Sequence, residues 1–240
     1  MWKDSFELID FHSHIIPGID DGAPDVETSI LMLSMLASQG IDKVIATPHY
    51  HGTKESIASF VSRRDSALSH LLEGIEKKEL SLPKIIPAAE VRIYPQMHAQ
   101  EHLEKLCVAN SKKILVEMPY TAWSDWMFDE VYALKAKGYA PIMAHIERYV
   151  DLVGEKEIGN TLLSLDVLVQ SNADFLLSRK EKKFVKHLIK SGSLTLLGSD
   201  CHNTTSRKPN LSKAFSYISK KYGDEYLMYL MKNAQTIING

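Results

Sequence analysis

The chain has 240 residues, 45% hydrophobic and 24% charged, which suits one large globular domain or two small ones. A formal net charge of -2 and a sequence pI near 6.6 provide no basic field, so nucleic acid and anionic membranes are excluded as electrostatic partners. Two cysteines, Cys107 and Cys201, are too few for a disulfide scaffold and fit a reducing compartment.

The start, "MWKDSFELIDFHSH", carries charges where a signal peptide needs an apolar core, and no segment approaches the length of a membrane span. A cytoplasmic protein without membrane insertion is expected. The first apolar run, "FELIDF" (6–11), leads into His12 and His14. At i and i+2 on a strand, two imidazoles point to one side, which is ligand geometry. Asp20 and Asp21 follow, before Gly22. In "DVETSILMLSMLASQG", apolar residues recur at helical spacing between an N-cap aspartate, Asp25, and a terminating glycine, Gly40.

The second run, "KVIATP" (43–48), ends at His49, with His51 just beyond, and the third, "KIIPAAE" (84–90), ends at Glu90. "HAQEH" (98–102) matches the inverted zinc-protease pattern H-x-x-E-H, with His98 and His102 on one face of a helix. Its flank reads more simply as a solvated amphipathic helix. "KILVEM" (113–118) brings Glu117, and Trp123 and Trp126 follow it, either at the mouth of a pocket or as packing at a helix start.

Gly138 repeats the helix stop, and "APIMAH" (140–145) then ends at His145, with Arg148 three residues on. "DVLVQS" (166–171) precedes Asn172; after Gly192, "LTLLGS" (194–199) precedes Asp200, His202 and, in a loop, Arg207. His70 and His187 fall in helical patterns and read as surface or partly packed residues.

Strands alternating with helices predict parallel pairing, because a parallel neighbour requires a crossover. With no linker, repeat or low-complexity stretch, residues 1–240 form a single domain. Every strand run ends in a metal-binding or polar side chain, and in a parallel barrel those ends face one pocket.

Imidazoles and carboxylates without thiolates suit Mn²⁺, Fe²⁺ or Zn²⁺, and there are more ligands than one ion needs. Clustered ions clamp a phosphoryl group for in-line displacement, so phosphate-ester hydrolysis leads. Arg148 and Arg207 then suit phosphate oxygens, against the alternative of surface salt bridges. Cys201 to Arg207 also satisfies C-x5-R, the spacing of cysteine-dependent tyrosine phosphatases. The stretch lacks glycines, and Asp200 beside the sulfur raises the thiol pKa, which disfavours a thiolate nucleophile.

"IDFHSHIIPGIDDG", "TPHYH", "AAEVRIYP", "ILVEMP", "AHIERY" and "GSDCHN" resemble the polymerase and histidinol phosphatase (PHP) superfamily, most closely its capsule-locus protein-tyrosine phosphatases. The resemblance spans nearly the whole chain. It implies a distorted (β/α)7 TIM-like barrel with a trinuclear site, usually assigned manganese, with Fe²⁺ or Zn²⁺ as alternatives. By analogy His12, His14, Glu90 and Asp200 hold one ion. Glu90, Glu117 and His145 hold a second, with Glu90 bridging, and Asp21, His49 and His202 serve the third; Asp21 aligns better than Asp20.

Arg148 and Arg207 match phosphate-binding arginines. The implied substrate is a phosphotyrosine-bearing protein, the tail of a bacterial tyrosine kinase linked to capsular or exopolysaccharide synthesis. The competing readings are a small-molecule phosphatase of the same fold, such as one for histidinol phosphate, and a non-enzymatic metal-binding barrel that partners a polymerase.

Overall fold

A computed structural model describes residues 6–109, 111–178 and 182–239. The first strand, β1, is Ile9–Ser13, all five of its residues buried. Asp25 caps α1 (Val26–Ser38) by accepting the Thr28 N–H at 2.8 Å, and Gly40 leaves the helix at φ +80°. The chain then runs through β2 (Lys43–Ala46), β3 (His49–Tyr50), α2 (Ile57–Lys77), β4 (Lys84–Pro87) and β5 (Glu90–Arg92). Next come β6 (Lys113–Glu117), α3 (Asp125–Ala136), β7 (Ala140–Met143), α4 (Val150–Val153) and α5 (Glu155–Leu165). The chain closes with β8 (Leu168–Asn172), α6 (Ala173–Leu177), α7 (Lys182–Lys190), β9 (Leu196–Gly198), α8 (Leu211–Tyr222) and α9 (Asp224–Asn239).

All strand pairs are parallel, in the orders β1-β2-β4 and β3-β5-β6-β7-β8-β9. The strands are mostly buried runs of Val, Ile and Leu, as expected for a parallel sheet with both faces buried. The sheet curls so far that β9 returns to β1. Asp200 N–H donates to His12 O at 2.7 Å and His14 N–H to Cys201 O at 3.0 Å. A Cβ on Gly198 would lie 2.4 Å from His12 Cβ, so only glycine permits this approach.

The predicted second strand, 43–48, shortens to β2 with the separate β3 just beyond it, and the predicted third, 84–90, divides between β4 and β5. Pro48, which has no N–H, follows β2, and Ala88–Ala89 separates β4 from β5. Strand limits also move toward the C-terminal end, from 6–11 to Ile9–Ser13 and from 166–171 to Leu168–Asn172, which carries Ser13 and Asn172 into the ladder.

The expected helix at 98–102 is absent. Met97–Ala99 and Leu103–Leu106 are separate 3₁₀ turns, with Gln96 and His102 both at φ 63°. Glu130 from α3 takes the Gln96 N–H at 2.9 Å, the His98 N–H at 2.6 Å and the His98 ring at 2.7 Å. That buried carboxylate satisfies donors that a continuous helix would need elsewhere, so His98 and His102 share no face.

Candidate active site

The ladder delivers His12 from β1, His14 from just beyond it, Glu90 from β5 and Asp200 from just beyond β9 to one buried point. His12 Nε2 and His14 Nε2 lie 3.1 Å apart. Glu90 Oε2 lies 3.2 and 3.3 Å from these nitrogens, and Asp200 Oδ1 lies 3.6 and 3.4 Å from them. Four donor atoms from or just beyond three strands thus surround a common centre.

Glu90 is the hub. Its Oε2 also lies 3.0 Å from His49 Nδ1, and its Oε1 lies 2.6 Å from His145 Nε2, which is 3.7 Å from Glu117 Oε1. On the other flank, Asp21 Oδ1 lies 3.5 Å from both His49 Nε2 and His202 Nε2. The groups whose donor atoms lie close enough together to hold an ion are, among the described residues, His12, His14 and Asp200; His49, Glu90 and Glu117; and His14, Asp21, His49 and His202. All nine ligands expected from the sequence are therefore brought together. His49 and His14 each join a second set, whereas His145 contacts the centre through Glu90 and Glu117.

The electrostatics favour cations. Burial raises a carboxyl pKa, yet His12 and His145 hold Glu90 well below the usual carboxylate range. Asp200 behaves likewise beside His12, His14 and Arg148. Burial lowers an imidazole pKa, but Glu90 and Asp200 raise that of His12, and Asp20, Asp200 and Glu90 raise that of His14 well above the ordinary value. His202 goes the other way, down to about 3, through burial and the charge of His14. The buried His202 Nε2 hydrogen-bonds to no described atom. Clustered imidazole nitrogens facing ionised carboxylates are a donor set that fits divalent ions of borderline hardness.

Other residues hold these side chains in place: Gln170, Asp10 and Ser199, which the sequence did not single out, and Asn172 and Asp20, which it named without this role. Gln170 Oε1 sits 3.1 Å from His12 Nδ1 and accepts the His145 N–H at 2.7 Å, while its amide donates to Asn172, which in turn donates to Asp200. Asp20 takes His14 Nδ1 at 2.6 Å and the His49 N–H at 2.9 Å. Gly22 lies where a Cβ would meet His14 O at 2.3 Å, which accounts for "DDG": one aspartate orients His14, the next faces His49 and His202, and the glycine packs beneath.

Asp10, whose carboxyl burial pushes to about 6, accepts the Ser199 N–H and hydroxyl and the His12 N–H. Such carboxylate and amide partners fix the tautomer and orientation of a ligating imidazole. Two ligands, His145 (φ 30°) and Asp200 (φ 51°), have left-handed backbone, strain of the kind that collects at functional sites.

Arg148 and Arg207 both donate to Asp200, Arg207 at 3.1 Å to each oxygen. Beside them opens a cavity of about 620 Å³, lined by Glu117, Met118, His145, Arg148, Tyr149, Phe175 and Phe184. Glu147, raised to about 7 by burial, also lines it.

Trp123 packs on Tyr149, while Trp126 lines a smaller neighbouring cavity, and His70 and His187 are exposed. Cys201 is fully buried, and burial with the charge of Asp10 pushes its thiol well above its ordinary pKa. Together with its place in the β1–β9 seam, this removes it as a nucleophile.

A family model described as capsular polysaccharide synthesis, CpsB/CapC, matches residues 8–239. The chain is 29% identical over 236 residues to tyrosine-protein phosphatase YwqE of Bacillus subtilis (strain 168), covering 96% of this chain and 91% of that protein. It is 27% identical over 243 residues to tyrosine-protein phosphatase CpsB of Streptococcus agalactiae serotype III (strain NEM316), covering 96% and 98%. A solved structure, from work describing YwqE of Bacillus subtilis and CpsB of Streptococcus pneumoniae as unique metal-dependent tyrosine phosphatases, matches with a TM-score of 0.84 at 28% identity. It covers 97% of this chain and 94% of that one.

Proposed function

Because the chain belongs to the CpsB/CapC family of capsular polysaccharide synthesis and is a metal-dependent tyrosine phosphatase, we propose an assignment of residues to the steps of phosphotyrosine hydrolysis. His12, His14, Glu90 and Asp200 hold one ion. Glu90, Glu117 and His145 would hold a second, and Asp21, His49 and His202 a third, with Mn²⁺, the metal that the family resemblance implies, as the proposed occupant and Fe²⁺ or Zn²⁺ equally compatible with this oxygen and nitrogen set. The observation that carries the reading is the meeting of His12 Nε2, His14 Nε2, Glu90 Oε2 and Asp200 Oδ1 beneath two arginines.

When bound, such ions activate water and neutralise charge on a phosphoryl group. The protein's own part is positional. Gln170 and Asp20 orient the imidazoles. Arg148 and Arg207 turn from Asp200 to the phosphate oxygens, and Met118, Tyr149, Phe175 and Phe184 enclose the aromatic ring of the substrate. A tyrosine leaves as a phenolate with a pKa near ~10, so an aryl ester needs less general-acid help than an alkyl phosphate.

The protein substrate is the phosphotyrosine-bearing tail of a bacterial tyrosine kinase, met in the cytoplasm; among the described residues, no helix is long and apolar enough to cross a membrane. The chain acts as one domain whose sheet counts as a (β/α)7 barrel. Ala88 N–H bonds Ala46 O at 2.8 Å and Glu90 N–H bonds Pro48 O at 3.1 Å, which supports reading β2 with β3 and β4 with β5 as single rungs.

The test compares kcat/KM for a phosphotyrosine peptide, a phosphoserine peptide and histidinol phosphate, before and after chelation and Mn²⁺ add-back. Chelator-sensitive turnover that favours phosphotyrosine is expected. Preference for histidinol phosphate would move the protein to small-molecule hydrolysis.

A further inference from the structure

The wall of the cavity beside Arg148 belongs to a second cavity as well. Beyond β6 the chain continues through Met118, Pro119 and Tyr120; Met118 and Tyr120 line the larger cavity and Pro119 the smaller. The smaller one has a volume of about 220 Å³ and is lined by His51, Arg92, Tyr94, Pro95, Pro119 and Trp126. That is below the roughly 300–1,000 Å³ of small-molecule pockets and suits one side chain.

Arg92 ends β5, two residues beyond the hub carboxylate Glu90, and is in register with Glu117 on β6. It is exposed, and among the described residues its guanidinium forms no ion pair or hydrogen bond. The other two arginines differ in both respects. Arg148 and Arg207 are committed to Asp200, next to β7 and β9, whereas Arg92 stands across the Glu117 wall from them. Trp126, 37% exposed, supplies an apolar face beside this cation.

We propose that the cavity at Arg92 is a second substrate subsite, which takes the carboxylate side chain of an aspartate or glutamate within two residues of the phosphotyrosine. The inference rests on the phosphatase reading and adds peptide specificity to it. Consecutive residues of a bound peptide lie about 3.8 Å apart, so a tyrosine seated beside Arg148 puts its neighbours over the one-residue wall at Pro119. Arg92 offers a planar fork to a carboxylate, and Trp126 and Pro119 cover the aliphatic stem.

The test uses the full chain with Mn²⁺ and matched phosphotyrosine peptides carrying Glu, Gln or Lys at each flanking position. At low ionic strength the best-placed Glu peptide should exceed its Gln counterpart roughly tenfold in kcat/KM. In Arg92→Gln that ratio should fall to about one, and in Arg92→Glu the Lys peptide should become the preferred substrate, a reversal that also shows the variant is folded. Turnover without charge preference in the native protein would overturn the proposal. So would an equal loss on Glu and Gln peptides in Arg92→Gln, since Arg92 would then act on the phosphate itself. Failure to turn over any phosphotyrosine peptide would remove the phosphatase reading, and this one with it.

Discussion

Two cavities of similar size lie at opposite ends of the parallel strands, one beyond the C-terminal ends of β6 and β7 and one before the N-terminal ends of β7, β8 and β9. At the C-terminal ends, about 620 Å³ is lined by Glu117, His145, Glu147 and Arg148. At the N-terminal ends, about 550 Å³ is lined by Tyr139, Pro141, Leu163, Leu168 and Thr195, with Lys135 and Asp166 at its edge. Lys135 is spent structurally, donating to Leu165 O at 2.6 Å and Asp166 O at 2.8 Å where α5 ends. Volume alone would not tell the two apart. What distinguishes the upper cavity is that charged groups meet there with valence left over, whereas in the lower one the lysine is consumed by helix-end carbonyls. In a parallel sheet every strand delivers its C-terminal residue to the same side, so chemistry accumulates at one end.

Four substitutions would break or sharpen that contrast. The largest effect is expected at Glu90, among the described residues the only carboxylate that touches His12, His14, His49 and His145 together. Glu90→Ala should lower kcat/KM by at least ~10³-fold, as removal of the proposed shared metal ligand would cost several kcal/mol of transition-state stabilisation. Retention of a tenth of the activity would displace the hub from Glu90.

Arg148→Ala comes next, with an expected loss of roughly 2–4 kcal/mol in kcat/KM and metal content unchanged by elemental analysis. Loss of metal along with activity would reassign this arginine to structure. For Gln170→Ala the expectation is a metal affinity weakened about 10–100-fold, with activity recovered at high Mn²⁺, because the amide positions ligands without being one. A titration with unchanged affinity would show that the His12 and His145 contacts are incidental.

At the far end of the strands, Lys135→Met should leave kcat/KM unchanged while costing about 1 kcal/mol of stability in denaturant unfolding, from its two carbonyl contacts. A catalytic defect there would mean the lower cavity communicates with the site.

The sequence by itself determined the periodic plan. Apolar runs separated by helical patterns required a parallel sheet, and polar residues at or next to the run ends singled out eight of the nine expected ligands, whereas Asp21 was expected from the family resemblance and Arg148 and Arg207 from the segments that follow. The helix stops at Gly40, Gly138 and Gly192 were legible too, since all three adopt positive φ. These features are local: a strand's direction follows from side-chain periodicity, and a cap follows from residue type.

Only the tertiary structure decided the rest. Gln170 lies 158 positions from His12, Asp20 resembled a spare neighbour of Asp21, and Glu130 captured the loop that "HAQEH" suggested was a helix. A hydrogen bond between groups far apart in the chain leaves no periodic trace in the sequence, because either partner alone is an ordinary polar residue. Burial makes such a pair indispensable, and burial is a property of the folded chain.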